Sequence, residues 1–281
     1  MWPKTLGKSK AEMIAPTHAG EGTLASLLHI SDGAKLNYIE NSGFRHKIYL
    51  PLRELLYTTA TGFRLATAIA GRPNGFVNAD AALVVEGFMR SANTFVEAAL
   101  VLSQGESFKF SHHGHHFIHV KEALRRNKPC VVLFRKPEQV ITSLVDFGTP
   151  DDIGQICAQY TSYYRRVLRL RNSILLVEFN EVTSDFGAVV ERINNRFGMA
   201  LRVPKKNEIT RQGTYALIPK IHKRPHGMIR ESPLEDAQFI AQRKQQMVRI
   251  GVRVAANPKL AACETIYQET LAEWRRQCAA N

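Results

Sequence analysis

Two kinds of apolar pattern alternate through the middle of the chain: short unbroken runs, and longer stretches with helical spacing. Leu83-Val84-Val85, Cys130-Val131-Val132-Leu133-Phe134 and Ile174-Leu175-Leu176-Val177 are unbroken runs, as strands buried on both faces require, and the third strand is expected to carry on through an acidic end to Phe179. The first predicts a strand over about 82–88, followed by a helix to Gln104-Gly105 in which Phe95, Ala98, Ala99 and Leu102 follow i, i+3, i+4, i+7. A short strand is predicted to begin at Phe108, and a helix to cover about 117–127. Ile153, Ile156, Cys157, Tyr160, Tyr164, Val167 and Leu168 form the stripe of a long amphipathic helix. Asp185 reads as the cap of another, ending at Phe197-Gly198. This alternation predicts an α/β fold with a parallel sheet and helices on both faces.

The flanks differ from this middle. Residues 1–40 are weakly periodic, and Tyr49–Ala70 has the spacing of an amphipathic helix that packs on the core or lies on a membrane, the core being favoured because its polar face is not notably rich in Lys or Arg. Gly71-Arg72-Pro73-Asn74-Gly75 then breaks the pattern, which divides the chain into a lead-in over 1–75 and an α/β domain over 76–281. Ser232-Pro233-Leu234-Glu235 is a capping box with proline at the first helical position, and a last helix is expected over 260–278.

Composition narrows the class. No apolar run approaches the ~20 residues that span a bilayer, and the first residues lack a signal peptide's hydrophobic core. The four cysteines are widely spaced without a C-x-x-C pair, and Cys130 and Cys157 read as small buried hydrophobes. A cytoplasmic protein is expected. The net charge of +13 asks for an anionic partner: nucleic acid, a membrane surface or a polyanionic small molecule. Basic residues are scattered, with no long basic run and no nucleic-acid module signature, so nucleic acid is the weaker expectation.

Three segments carry chemistry. In Leu83–Thr94 an apolar run breaks into a turn, Arg90-Ser91-Ala92-Asn93-Thr94, that opens a helix with Phe95. A cation and hydroxyls beside a helix N-terminus form an anion site, the competing reading being a solvated turn with Ser91 as N-cap. The turn lacks the G-x-x-x-x-G-K followed by Ser or Thr of nucleotide triphosphatases. In the second segment Arg135 stands at the carboxyl end of a strand, where ligands of open parallel sheets bind, with Pro137 opening the next helix and Ser143 within it. The third is Ser111-His112-His113-Gly114-His115-His116, with His119 beyond. Its imidazoles suit a general base at neutral pH, a structural cap on the sheet, or a zinc site, although no Cys, Asp or Glu nearby completes a familiar ligand spacing.

Taken together, the first two segments resemble the sulfotransferases that use 3′-phosphoadenosine 5′-phosphosulfate (PAPS). That family's first loop reads Pro, Lys or Arg, Ser, Gly, Thr or Asn, Thr, Trp or Phe; here it is Met89-Arg90-Ser91-Ala92-Asn93-Thr94-Phe95. Its second element is R-x-P with a serine eight residues after the arginine, matched by Arg135, Pro137 and Ser143. Leu175–Phe179 and Arg196-Phe197-Gly198 look like its next segment, so the resemblance covers roughly 82–198. It implies a P-loop-type α/β fold and transfer of a sulfuryl group from PAPS to an acceptor hydroxyl or amine, leaving 3′-phosphoadenosine 5′-phosphate (PAP). Arg90 would contact the phosphosulfate, and Ser91, Asn93 and Thr94 with the loop amides would cradle the 5′-phosphate. Arg135 and Ser143 would hold the 3′-phosphate. His112 matches the family's Ser-His dipeptide and His113 suits its spacing to the second arginine, so either would be the base. Met89 for proline and Ala92 for glycine depart from the pattern, the second because alanine lacks glycine's freedom at positive φ. Lys223–Arg230 is the nearest counterpart of the family's basic C-terminal loop. The alternatives are a P-loop small-molecule kinase and a non-catalytic binder of nucleic acid or anionic glycan.

Overall fold

A computed structural model of the chain describes residues 59, 61–63, 65, 77–112, 114–147, 152–205, 207–221 and 237–280. The three apolar runs form strands: β1 (Leu83–Gly87), β3 (Cys130–Phe134) and β4 (Leu175–Glu178), every residue of them buried. β2 is only Phe110–Ser111, shorter than a strand starting at Phe108. All pairings are parallel, in the order β2-β1-β3-β4, with Gly87 opposite Leu133 and Phe134 opposite Glu178.

The connecting helices are α1 (Asn93–Gln104), α2 (Phe117–Arg125), α3 (Pro137–Asp146), α4 (Ile153–Leu168), α5 (Phe179–Ser184) and α6 (Phe186–Phe197). Three more follow: α7 (Arg211–Ile221), α8 (Ala237–Ala255) and α9 (Leu260–Ala279). The period of two along each strand sorts its side chains onto opposite faces. Val84, Val132, Phe134 and Leu176 meet Val120 of α2, Ile141 of α3, Tyr160 and Tyr164 of α4 and Ile266 of α9. Leu83, Val85, Val131, Leu133 and Val177 meet Phe95, Ala99 and Leu100 of α1 and Val189 and Ile193 of α6. Each such apolar side chain contributes roughly 1.5–3 kcal/mol on burial, which makes the two-sided sheet a rigid base for the loops at its ends.

Asp185 caps α6 through Ala188 N–H, as its position in sequence predicts. The short helix α5 interrupts what reads as continuing strand: the Glu178 carboxylate accepts from Asn180 N–H and Glu181 N–H and turns the chain at Phe179. On the open edge of β4, the Gln277 side chain of α9 accepts from Leu176 N–H at 2.9 Å and donates to Ile174 C=O at 3.3 Å. One amide side chain thus takes the place of a neighbouring strand and covers an edge that would otherwise invite pairing.

Most of the 1–75 lead-in, including most of the Tyr49–Ala70 stretch, lies outside the described residues, although Phe63 is buried against the His116 ring. The capping box at 232–235 and the basic segment 223–230 also lie outside them; the helix that the box announces is described from Ala237. Among the described residues no helix is long and apolar enough to cross a membrane.

Candidate functional site

β1 and β3 are neighbours, yet the chain leaves β1 toward β2 on one side and leaves β3 toward β4 on the other. Between their carboxyl ends lies the topological switch point, where loops diverge and open a crevice. The turns that follow these two strands carry Arg90 and Arg135.

The β1–α1 turn is held tightly. Gly87 lies so close to β3 that a Cβ there would sit 2.8 Å from Leu133 O. Arg90 and Ala92 both adopt left-handed backbone, at φ 65° and 78°. Ala92 is the N-cap of α1 and takes the conformation that glycine would take at no steric cost. Asn93, buried at the start of α1, donates from Nδ2 to Phe88 O at 3.1 Å and to Gly87 O at 3.4 Å. Val96 N–H closes the first turn onto Ala92 O, so the amides before it project from the helix end, and no acidic side chain stands in that turn. Thr94 is half-buried within it, and Phe95 packs into the core. Ser91 is fully buried: Tyr164 donates to Leu133 O at 2.9 Å, so the Ser91 hydroxyl donates to the Tyr164 oxygen at 3.3 Å. Ser91 therefore fastens the turn to α4 and faces the core.

The β3–α3 turn is fastened by the same helix. Tyr160 of α4 donates to Arg135 O at 2.8 Å. The Arg135 guanidinium lies 3.8 Å over the Phe179 ring, donates from Nε to Gln139 at 3.1 Å, and from Nη1 to Arg90 O at 3.2 Å. Arg90 in turn donates from Nε to Ser143 Oγ at 2.9 Å, with its guanidinium 5.1 Å from the Phe147 ring. Burial raises the Glu178 carboxyl above its usual range, against the pull of the Asn180 and Glu181 amides and of Arg135. The structure thus brings Arg90, Arg135 and Ser143 together beside the α1 N-terminus, a donor set suited to an anion with more than one phosphate.

The histidines follow β2 along the flank of this crevice. His112 places Nε2 3.4 Å from Glu97 of α1 and sets its ring at a tilt against Phe110, centroids 5.0 Å apart; His113 lies outside the described residues. Glu86 of β1, fully buried, accepts from Gly114 N–H and His115 N–H at 2.8 Å each and pairs with His119 Nδ1 at 2.5 Å. Burial alone would raise the Glu86 carboxyl; His119, His115 and the Gly114 amide outweigh it and hold the group below its ordinary value. Among the described residues no group of three or more His, Cys, Asp and Glu is arranged to hold a metal ion.

The sequence singles out the two arginines and Ser143, which the fold brings together, but not Phe179, the two α4 tyrosines or Glu86, which pack or bond against them and the histidine loop. The last had a signal: a carboxylate inside an otherwise apolar strand needs a partner.

No known protein-family profile and no curated protein matches the chain. Among solved structures it is similar to mouse sulfotransferase SULT7A1 complexed with PAP, at 10% identity over 69% of this chain and 90% of that one, with a TM-score of 0.37.

Proposed function

We propose that the chain is a PAPS-dependent sulfotransferase acting on an acceptor hydroxyl or amine. The observation that carries this reading is the join between two distant elements: Arg90 donates to Ser143 while Arg135 donates to the Arg90 carbonyl. A loop suited to one phosphate and an Arg-Ser pair suited to a second then share one crevice, as a nucleotide with separate 3′ and 5′ anionic groups requires. Such a donor carries several negative charges, which also accounts for a basic chain without nucleic acid.

In this reading the α1 amides, Thr94 and Arg90 bind the 5′-phosphosulfate, with Asn93 and Ser91 fixing the turn behind them. Arg135 and Ser143 bind the 3′-phosphate. A histidine of the loop after β2, where His112 and His113 stand, removes the acceptor proton as the acceptor oxygen or nitrogen attacks sulfur. The bond from sulfur to the bridging oxygen breaks, and Arg90 stabilises the charge that develops on that oxygen. Positioning and electrostatics supply most of the rate, as in phosphoryl transfer.

The test is calorimetric titration with PAP, AMP and ATP. Tightest binding to PAP supports the reading. Tightest binding to ATP with Mg²⁺ would favour a kinase, and salt-sensitive binding without discrimination among nucleotides would favour a general polyanion binder.

A further inference from the structure

Helix α8 is apolar on two opposite sides. Toward the core it places Ile250 and Val254, both buried, and its Arg243 pairs with Asp146 at the end of α3 at 3.2 Å. Lys136 and Glu138 at the start of α3 border the same hollow as Ala255 and Ala256, so α8 lies antiparallel along α3. The outer side of such a helix is expected to be polar. Here it carries Val248 and Val252, four residues apart and therefore on one face, at 61% and 67% exposure. No other large apolar side chain among the described residues is as open to solvent.

Charge sets the same face apart. Ala237–Ala255 contains Arg243, Lys244, Arg249 and Arg253 and no Asp or Glu. Lys244 stands one turn before Val248 and Arg249 lies beside it, both exposed. A helix that is merely solvated gains from acid–base pairs at i, i+4, and α8 contains none of them.

The occupant must satisfy both the valines and the cations. A second copy of the helix would set Lys244 and Arg249 against like charges with no acid to answer them. A nucleic acid would use the cations and leave the valines in water. An acidic protein needs a patch of roughly 800 Å², whereas these residues form a ridge along the outside of one helix. An anionic lipid surface uses everything present: the valines enter between headgroups, the cations meet their anionic groups, and the net charge of +13 attracts the chain from a distance.

We propose that the outer face of α8, built on Lys244, Val248, Arg249 and Val252, docks on a membrane surface rich in anionic lipid. The attachment is peripheral and reversible, because two valines and a few cations hold a protein at an interface without a spanning helix. It does not depend on the donor reading above, since the face points away from α3 and its Ser143.

The test is flotation of the full chain with vesicles of phosphatidylcholine alone and with about one-third phosphatidylserine. Wild type should float with the anionic vesicles only. Lys244→Gln/Arg249→Gln should bind them about 30-fold more weakly, from about 1 kcal/mol for each cation near the surface. Val248→Ser/Val252→Ser, with its charge unchanged, should bind about five- to tenfold more weakly. All four side chains are exposed, so wild-type melting profiles are expected. Val248→Trp gives a second readout, a blue shift of its emission on adding the anionic vesicles. No flotation of the wild type, wild-type binding by the valine variant, or an emission indifferent to vesicles overturns the proposal. So does a concentration-dependent dimer that the valine variant abolishes, which would make the occupant a second copy.

Discussion

Arg90 reaches across 53 residues of sequence to donate from Nε to Ser143 Oγ at 2.9 Å. The contact ties the turn after β1 to the second turn of α3. Because Arg135 also donates to the Arg90 carbonyl, neither turn shifts without the other. The pair belongs to the proposed donor site, so its removal should be read in binding more than in stability.

Arg90→Ala removes a charged donor that is only partly buried. PAP affinity should fall by roughly 1.5–3 kcal/mol, with the melting temperature close to wild type. Ser143→Ala removes a neutral partner and should cost about 0.5–1.5 kcal/mol. Calorimetry on the two single variants and the double variant checks this, with non-additive losses expected for residues in direct contact. An Arg90→Ala chain that fails to fold would instead make the residue structural.

The strands were legible from their apolar runs, and the two arginines from their place just beyond those runs, where a polar turn begins. Direction was not legible. Ser91 reads as an anion contact, but left-handed backbone at Arg90 and Ala92 on either side sets its hydroxyl against Tyr164. The shape of the histidine loop was equally hidden, because it depends on a carboxylate 29 residues before His115 in sequence. Helix α5 was missed since Phe179 reads as a continuation of the strand, and only the side chain of Glu178 ends it.

Ala92 offers a stability test of the turn. Left-handed backbone costs an L-residue about 1–2 kcal/mol, and glycine avoids it at the expense of greater freedom in the unfolded chain. Ala92→Gly should therefore stabilise the fold by about 0.5–1 kcal/mol, measured by urea denaturation. Destabilisation would mean that the methyl group packs to advantage.

Part of the acid sensitivity should come from Glu122 of α2, which is buried and bonded to Arg125 at 2.6 and 2.7 Å and to Arg126 at 2.7 Å. The hydrogen bond from Arg125 leads in lowering its carboxyl, against burial and with help from Arg126, to about 2 from an ordinary 4.5. A carboxylate depressed by folding lends stability above its unfolded value and loses it as pH falls through the folded one. Wild-type melting temperature should therefore drop between about pH 4.5 and 2, and Glu122→Gln should be less stable at neutral pH with a shallower decline over that window. Parallel profiles for the two proteins would contradict the assignment.

The most direct measurement of the central claim is calorimetric titration of wild type and Arg135→Ala with PAP and with AMP, which differ only in the 3′-phosphate. Wild type should prefer PAP, and Arg135→Ala should lose about 1.5–3 kcal/mol toward PAP while its affinity for AMP stays nearly unchanged. Equal affinity of the wild type for PAP and AMP would contradict the account.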